Sequence, residues 1–269
     1  MKSYEPAYNT RCKPLLGTFV EISLLGGTQT TFDDAFSAIK KVSSLMSFHD
    51  EESDLSLLNR SPVGQWITLD DQIIEVLNLS LEIQNQTDGY FNVAIAQPLM
   101  FWKKLPGEVS SAGFKYLSAP GFEIRGVQAR RILPIMIDLG GIAKGYAVDR
   151  AVEAIQKNSG EISGIVNAGG DLRVFGKIEH PIWIKDGTEV DSKMFFTELK
   201  VSSMATSSIA PATYVDPHRQ RSLSANRTVV ARSRHCVVAD AFTKVALLLP
   251  FDRAQEIGAK FQVDLSLVS

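Results

Sequence analysis

Between Ile137 and Asp149 the sequence IDLGGIAKGYAVD runs an apolar stretch into Gly140 and Gly141 and then into a helix-forming segment that contains Gly145. That order predicts a strand, a tight turn and a helix start. Its flanks enlarge the unit: Ile132 to Leu139 reads as a strand, Ala143 to Asn158 as a helix with Gly160 just beyond it, and Ile162 to Val166 as a second strand. Glycines at such a turn permit positive φ angles and let a ligand approach the backbone, while the helix start offers free N–H groups and a positive dipole end to a phosphate. Lys144, in the first helical turn, reaches the same anion. The plainer alternative is a structural turn without a ligand, since neither the dinucleotide fingerprint nor the Walker pattern fits.

A second glycine turn, Asn167-Ala168-Gly169-Gly170-Asp171, follows the second strand, and taken alone it reads as a hairpin or strand end rather than a site. If the two strands are parallel neighbours, both turns lie where open α/β sheets bind ligands, beyond the carboxyl ends of the strands. Phe19 to Leu25 alternates like a strand and ends at Gly26-Gly27. From Thr31 to Phe48, Phe32, Ala35, Phe36, Ile39, Val42 and Met46 recur at three- and four-residue spacings, which predicts a helix with Asp33 and Asp34 in its first turn. Leu69 to Thr87 repeats the device and stops before Gly89. After a polar section from Glu179 to Lys193, a strand is expected at Arg227 to Ala231, helices at Ala239 to Leu249 and Arg253 to Ile257, and a strand at the end. The class is mixed α/β, of the α+β kind, with residues 1–269 forming one domain that has subdomains.

Composition narrows the function classes. With 45% hydrophobic and 22% charged residues the chain buries a sizeable core, which excludes intrinsic disorder. A net charge of -2 gives no global attraction for nucleic acid. Five arginines between Asp216 and Asp240 (Arg219, Arg221, Arg227, Arg232, Arg234) form a basic stretch that reads as a solvated strand face, and without interleaved aromatics it does not suit single-stranded nucleic acid. Cys12 and Cys236 make neither a disulfide framework nor a thiolate metal site. No apolar run reaches the roughly 18 residues of a membrane span, and the amino terminus has no secretory h-region, so a cytoplasmic protein is expected. A leader removed beforehand leaves the same picture.

Several segments, taken in order, resemble the FAD:protein FMN transferases, the ApbE family. They are LLGTFVEISL (Leu15 to Leu24), MSFHDEESDLSLLN (Met46 to Asn59), TDGYFNVAIAQPLMFW (Thr87 to Trp102), IDLGGIAKGYAVD, NAGGD, ATSS (Ala205 to Ser208), YVDP (Tyr214 to Pro217) and VVADAFTK (Val237 to Lys244). The resemblance implies an ApbE-like fold with an FAD site. It also implies a reaction that moves FMN from FAD to a Ser or Thr hydroxyl of an acceptor protein, with release of AMP and with Mg²⁺ assisting.

Carried over position by position, the resemblance implies flavin contacts at Leu16, His49, Tyr90, Phe91, Asn92, Gly140, Gly141, Lys144 and Tyr146. Leu16 stands where the family has Met, His49 where it has Tyr, and Asn92 where it has Asp. Thr213, counted back from Asp216, falls on the family's His. Because a threonine hydroxyl does not titrate near neutral pH, His218 is the nearest replacement base. The implied metal ligands are the Ala143 carbonyl, Asp240 and a Thr four residues later, where this chain has Lys244; the nearby Thr243 lies about 100° round the helix. An ammonium repels Mg²⁺, so weak or absent metal dependence is expected. The departures at Asn92, Thr213 and Lys244 keep a second reading open, a catalytically silent flavin or nucleotide binder or partner subunit with the same fold.

Overall fold

The computed structural model describes residues 8–109, 119–159, 161–177, 179–185, 194–200, 202–208, 215–216, 221–222 and 227–268. Among them the helices are α1 (Gln29–Met46), α2 (Asp54–Arg60), α3 (Asp71–Gln86), α4 (Ala96–Phe101), α5 (Ala143–Ser159), α6 (Cys236–Leu248) and α7 (Phe251–Lys260). The strands are β1 (Asn9–Leu15), β2 (Thr18–Leu25), β3 (Ile67–Thr68), β4 (Phe122–Arg125), β5 (Gln128–Arg131), β6 (Ser163–Ala168) and β7 (Asp171–Phe175). They continue with β8 (His180–Lys185), β9 (Met194–Leu199), β10 (Ser202–Ser208), β11 (Val215–Asp216), β12 (Arg221–Ser222), β13 (Thr228–Ser233) and β14 (Asp264–Leu267).

The main sheet has seven strands in the order β1-β2-β6-β7-β10-β13-β14, and every neighbouring pair is antiparallel. The expected parallel unit is therefore wrong. β6 and β7 are joined by the two-residue turn Gly169-Gly170, with Ala168 opposite Asp171. Both glycines have positive φ, 66° and 100°, as a tight hairpin turn requires. Ile132 to Leu139 is no strand either. Its backbone at Ile137 is satisfied by one side chain: Asn59 donates Nδ2–H to the Ile137 carbonyl and accepts the Ile137 N–H, both at 2.8 Å. A buried amide side chain thus does for this apolar run what a neighbouring strand would otherwise do.

α1 follows the periodicity, and Phe32, Ala35, Phe36, Ile39, Val42 and Met46 are all buried. It starts at Gln29, earlier than the pattern suggests, because Thr28 and Thr31 cap it reciprocally: Thr28 N–H donates to the Thr31 hydroxyl at 3.1 Å and Thr31 N–H to the Thr28 hydroxyl at 3.4 Å. Asp33 and Asp34 consequently fall beyond the first turn. α1, α5 and α6 lie on one face of the sheet, over Val20, Ile22, Val166, Phe175 and Ala231. The other face carries a smaller cluster, Leu172, Val174, Met204 and Val230, covered by Ile182, Ile184 and Leu199 of the β8–β9 ribbon. The ribbon's first strand, β8, arises from the section read as merely polar; the alternation there, buried at His180, Ile182 and Ile184, is strand-like. Among the described residues no helix is long and apolar enough to cross a membrane.

α5 and α6 cross at Gly145 and cap one another. The Gly145 N–H donates to Asp240 Oδ2 at 2.9 Å, while Asp149 accepts the N–H groups of Cys236 at 3.0 Å and Val237 at 2.9 Å. His235, at the start of α6, supplies no side-chain cap of its own. A Cβ at Gly145 would sit 2.3 Å from the Cys236 carbonyl oxygen and 2.7 Å from Asp240 Cβ, so the glycine sets the distance between the helices. Gly145→Ala is expected to lose about 2 kcal/mol in urea unfolding, since rigid backbone must give way. At Gly141 a Cβ would lie 3.8 Å from Lys244 Cγ, an ordinary contact. Gly141→Ala is therefore expected to stay within about 0.5 kcal/mol of the parent.

Candidate active site

A cavity of about 660 Å³ opens where the carboxyl end of α1, the start of α5, the end of β10 and one face of α6 meet. Leu16 and Gly17, the tight turn between β1 and β2, enter from one side with φ of 56° and 70°. Phe48 and His49 follow the end of α1, with their rings edge to face at 6.2 Å between centroids. Tyr90, Phe91 and Asn92 come from the segment after α3, which stops at Thr87 and turns through Gly89 at φ 80°. The far wall carries Asp138, Gly140, Gly141, Ala143 and Lys144, then Thr206, Ser207 and Ser208 of β10 and Lys244 of α6.

Of the expected flavin contacts, Leu16, His49, Tyr90, Phe91, Asn92, Gly140, Gly141 and Lys144 all line this space. Tyr146 does not. It is buried, its hydroxyl donates to Glu75, and Arg150 lies over its ring at 4.8 Å, so it ties α5 to α3. Glu75 lies 71 residues earlier, which is why the motif alone did not exclude a flavin role. Asn92 accepts the Ala94 N–H at 2.8 Å, fixing its own turn as a carboxylate there would. Gly140 and Gly141 do not have positive φ, contrary to expectation, and the stem of Lys244 passes beside Gly141 at ordinary contact distance. Thr213 and His218 lie outside the described residues, and Asp216 is described only as backbone, opposite Arg221. Arg219 is also outside them, and Arg227, Arg232 and Arg234 do not line the cavity; Arg232 donates to Thr197 Oγ1 at 2.7 Å.

Charge concentrates at the start of α5. Lys144 pairs with Asp171, which is 1% exposed, and Lys244 pairs with Asp240, which is 0% exposed. Burial pushes the Asp171 carboxyl up, the charge of Asp240 adds to this, and the two lysines oppose it. Thr243, expected near a metal, is wholly buried: its hydroxyl donates to the Asp240 carbonyl at 2.7 Å and lies 2.8 Å from Ser207 Oγ. Among the described residues no group of three His, Cys, Asp or Glu side chains is arranged to hold a metal ion. Asp138 and Asp171 were not singled out, although both stand inside segments that were. Asp138 is a carboxylate within an otherwise apolar run, and that was the available signal. It is half-buried, burial pushes its carboxyl up, and the Gly140 N–H at 3.1 Å and the His49 charge oppose the shift.

The family model described as the ApbE family matches residues 16–267. The FAD:protein FMN transferase of Haemophilus influenzae is 22% identical over 177 residues, 60% of this chain and 51% of that protein. The chain spans about half the length of the curated relatives it matches. Among solved structures, the ApbE protein of Thermotoga maritima superimposes with a TM-score of 0.83 at 22% identity, over 97% of this chain and 94% of that one. The flavin transferase ApbE of Vibrio cholerae does so with a TM-score of 0.82 at 18% identity, over 97% and 94%. The fold is thus the ApbE fold, as the sequence motifs led one to expect.

Asp138 carries a pH signature. With its pKa raised on folding, the folded chain keeps the proton over a range where the unfolded chain has released it. Stability falls as pH rises from the ordinary carboxylate range through the raised folded value, and the loss is complete above it. Asp138→Asn removes this loss. The variant is expected to match the parent in urea melts at about pH 3 and to exceed it at about pH 7; a variant less stable at neutral pH contradicts the assignment.

Proposed function

The chain belongs to the ApbE family, and from that premise we propose that it is an FAD:protein FMN transferase. The observation that carries this reading is one cavity in which groups suited to a flat ring, Leu16, His49 and Tyr90, share walls with two lysine ammoniums, Lys144 and Lys244. FAD is the substrate. The acceptor's Ser or Thr oxygen forms a bond to the phosphorus of the FMN half, the bond from that phosphorus to the bridging oxygen breaks, and AMP departs with the electron pair. Lysine ammoniums beside a leaving phosphate offset its growing charge.

The hydroxyl proton must pass to a base. Asp138 supplies the carboxylate and His49 the imidazole among the described residues of the cavity, and Asp216 and His218 lie in the stretch that the family's His would occupy. The acceptor is a flavoprotein presenting a Ser or Thr. A cytoplasmic setting belongs to the same reading, and the two free cysteines, Cys12 exposed and Cys236 buried, suit a reducing compartment.

The purified chain is expected to bind FAD saturably at micromolar concentration, followed by flavin fluorescence, and to release one AMP for each flavin attached to an acceptor. Absence of saturable binding removes the proposal. Gly141→Val, which places branches against Lys244 and into the cavity wall, is expected to weaken FAD binding about tenfold with unchanged circular dichroism. Unchanged affinity would show that the turn is only structural.

A further inference from the structure

The pair Asp240 and Lys244 is not arranged as a divalent-cation site. Both Asp240 oxygens are engaged: Oδ2 accepts the Gly145 N–H at 2.9 Å and Oδ1 the Lys244 ammonium. The neighbouring Thr243 hydroxyl is spent on the Asp240 carbonyl and on Ser207 in the α6–β10 contact, and Thr243 itself does not line the cavity. Mg²⁺ asks for an octahedral shell of oxygens and gives up its water reluctantly. Here the position is held by an ammonium with 12% of its side chain exposed, seated on a wholly buried carboxylate. The lysine stem passes beside Gly141, where a Cβ would lie 4.0 Å from Lys244 Cε, an ordinary contact. A second ammonium, Lys144 on Asp171, stands on the same cavity wall.

We infer that Lys244 is a resident cation that replaces the divalent metal, so that this chain meets the pyrophosphate of its dinucleotide with two fixed ammoniums and needs no Mg²⁺. The inference deepens the flavin-transferase reading and rests on it for the identity of the ligand. Its physical basis does not. An i,i+4 pair on one helix face holds the ammonium in one place, and the Gly145 N–H holds the carboxylate. A metal entering here must expel that ammonium from a buried partner, which leaves a second cation beside the first.

The test uses the full chain. Mn²⁺ is titrated with electron paramagnetic resonance as the readout, and FAD affinity is measured by flavin fluorescence in EDTA and in excess Mg²⁺. The wild type is expected to leave the free Mn²⁺ signal undiminished and to bind FAD equally with and without metal. Lys244→Met is expected to weaken FAD binding about tenfold to a hundredfold, the loss of one charge-assisted hydrogen bond. Because that variant strands a buried carboxylate, the double variant D240N/K244M, which removes both charges, is measured beside it and is expected to show the same loss. A stoichiometric Mn²⁺ site in the wild type, removed by Asp240→Asn, overturns the inference, as does FAD binding abolished by EDTA. Unaltered FAD affinity in both lysine variants overturns it too. A wild type that binds no FAD at all defeats the flavin reading instead, and the Mn²⁺ titration then decides the cation question alone.

Discussion

The architecture depends on two helices that complete each other's first turns. Every helix begins with N–H groups that have no partner within it, and a buried helix start must find acceptors elsewhere. α5 takes one from α6, where Asp240 receives the Gly145 N–H; α6 takes one from α5, where Asp149 receives two. Asp149 in turn is held by Arg173 of β7 at 2.7 Å, which anchors the helix pair to the sheet. The crossing is close because position 145 has no side chain, and that closeness brings the Lys144 and Lys244 ammoniums to one wall of the cavity.

Buried charge is therefore structural here as well as chemical. Asp149, Asp171 and Asp240 are each 2% exposed or less, and each has a cationic partner in Arg173, Lys144 and Lys244. Such pairs gain little over apolar packing, yet stranding one partner costs about 3–5 kcal/mol. The lysines of the cavity thus have a fixed geometry before any ligand arrives, which is the property an electrostatic site needs.

Local pattern revealed what depends on local pattern. The buried face of α1 follows from spacing, but its starting point depended on a Thr28–Thr31 exchange that the apolar pattern does not contain. Ile132 to Leu139 reads as a strand because an apolar run does not say who satisfies its backbone; the answer, Asn59, lies 78 residues away. The parallel arrangement failed for the same reason: with no strand at 132–139, the helix from Ala143 joins no parallel pair, and β6 pairs antiparallel with β2 and β7. In the cavity, the glycine turn with Lys144 was legible from the residues, while Leu16, His49 and Tyr90 joined it only through resemblance. Tyr146 and Thr243 look like site residues in one dimension and are claimed in three by Glu75 and Ser207.

The Gly145–Asp240 link spans 95 residues, and the Asp149–Val237 link 88. Contacts of that separation come late in folding, because the intervening chain must be closed before they are rewarded. During synthesis, α5 can pack on α1, which precedes it, but its Gly145 N–H meets Asp240 only after α6 has emerged behind the β6 to β13 portion. The wall bearing both lysines is therefore complete only once α6 has docked on α5, and a chain stopped short of α6 would carry Lys144 but not the second ammonium that shares its wall.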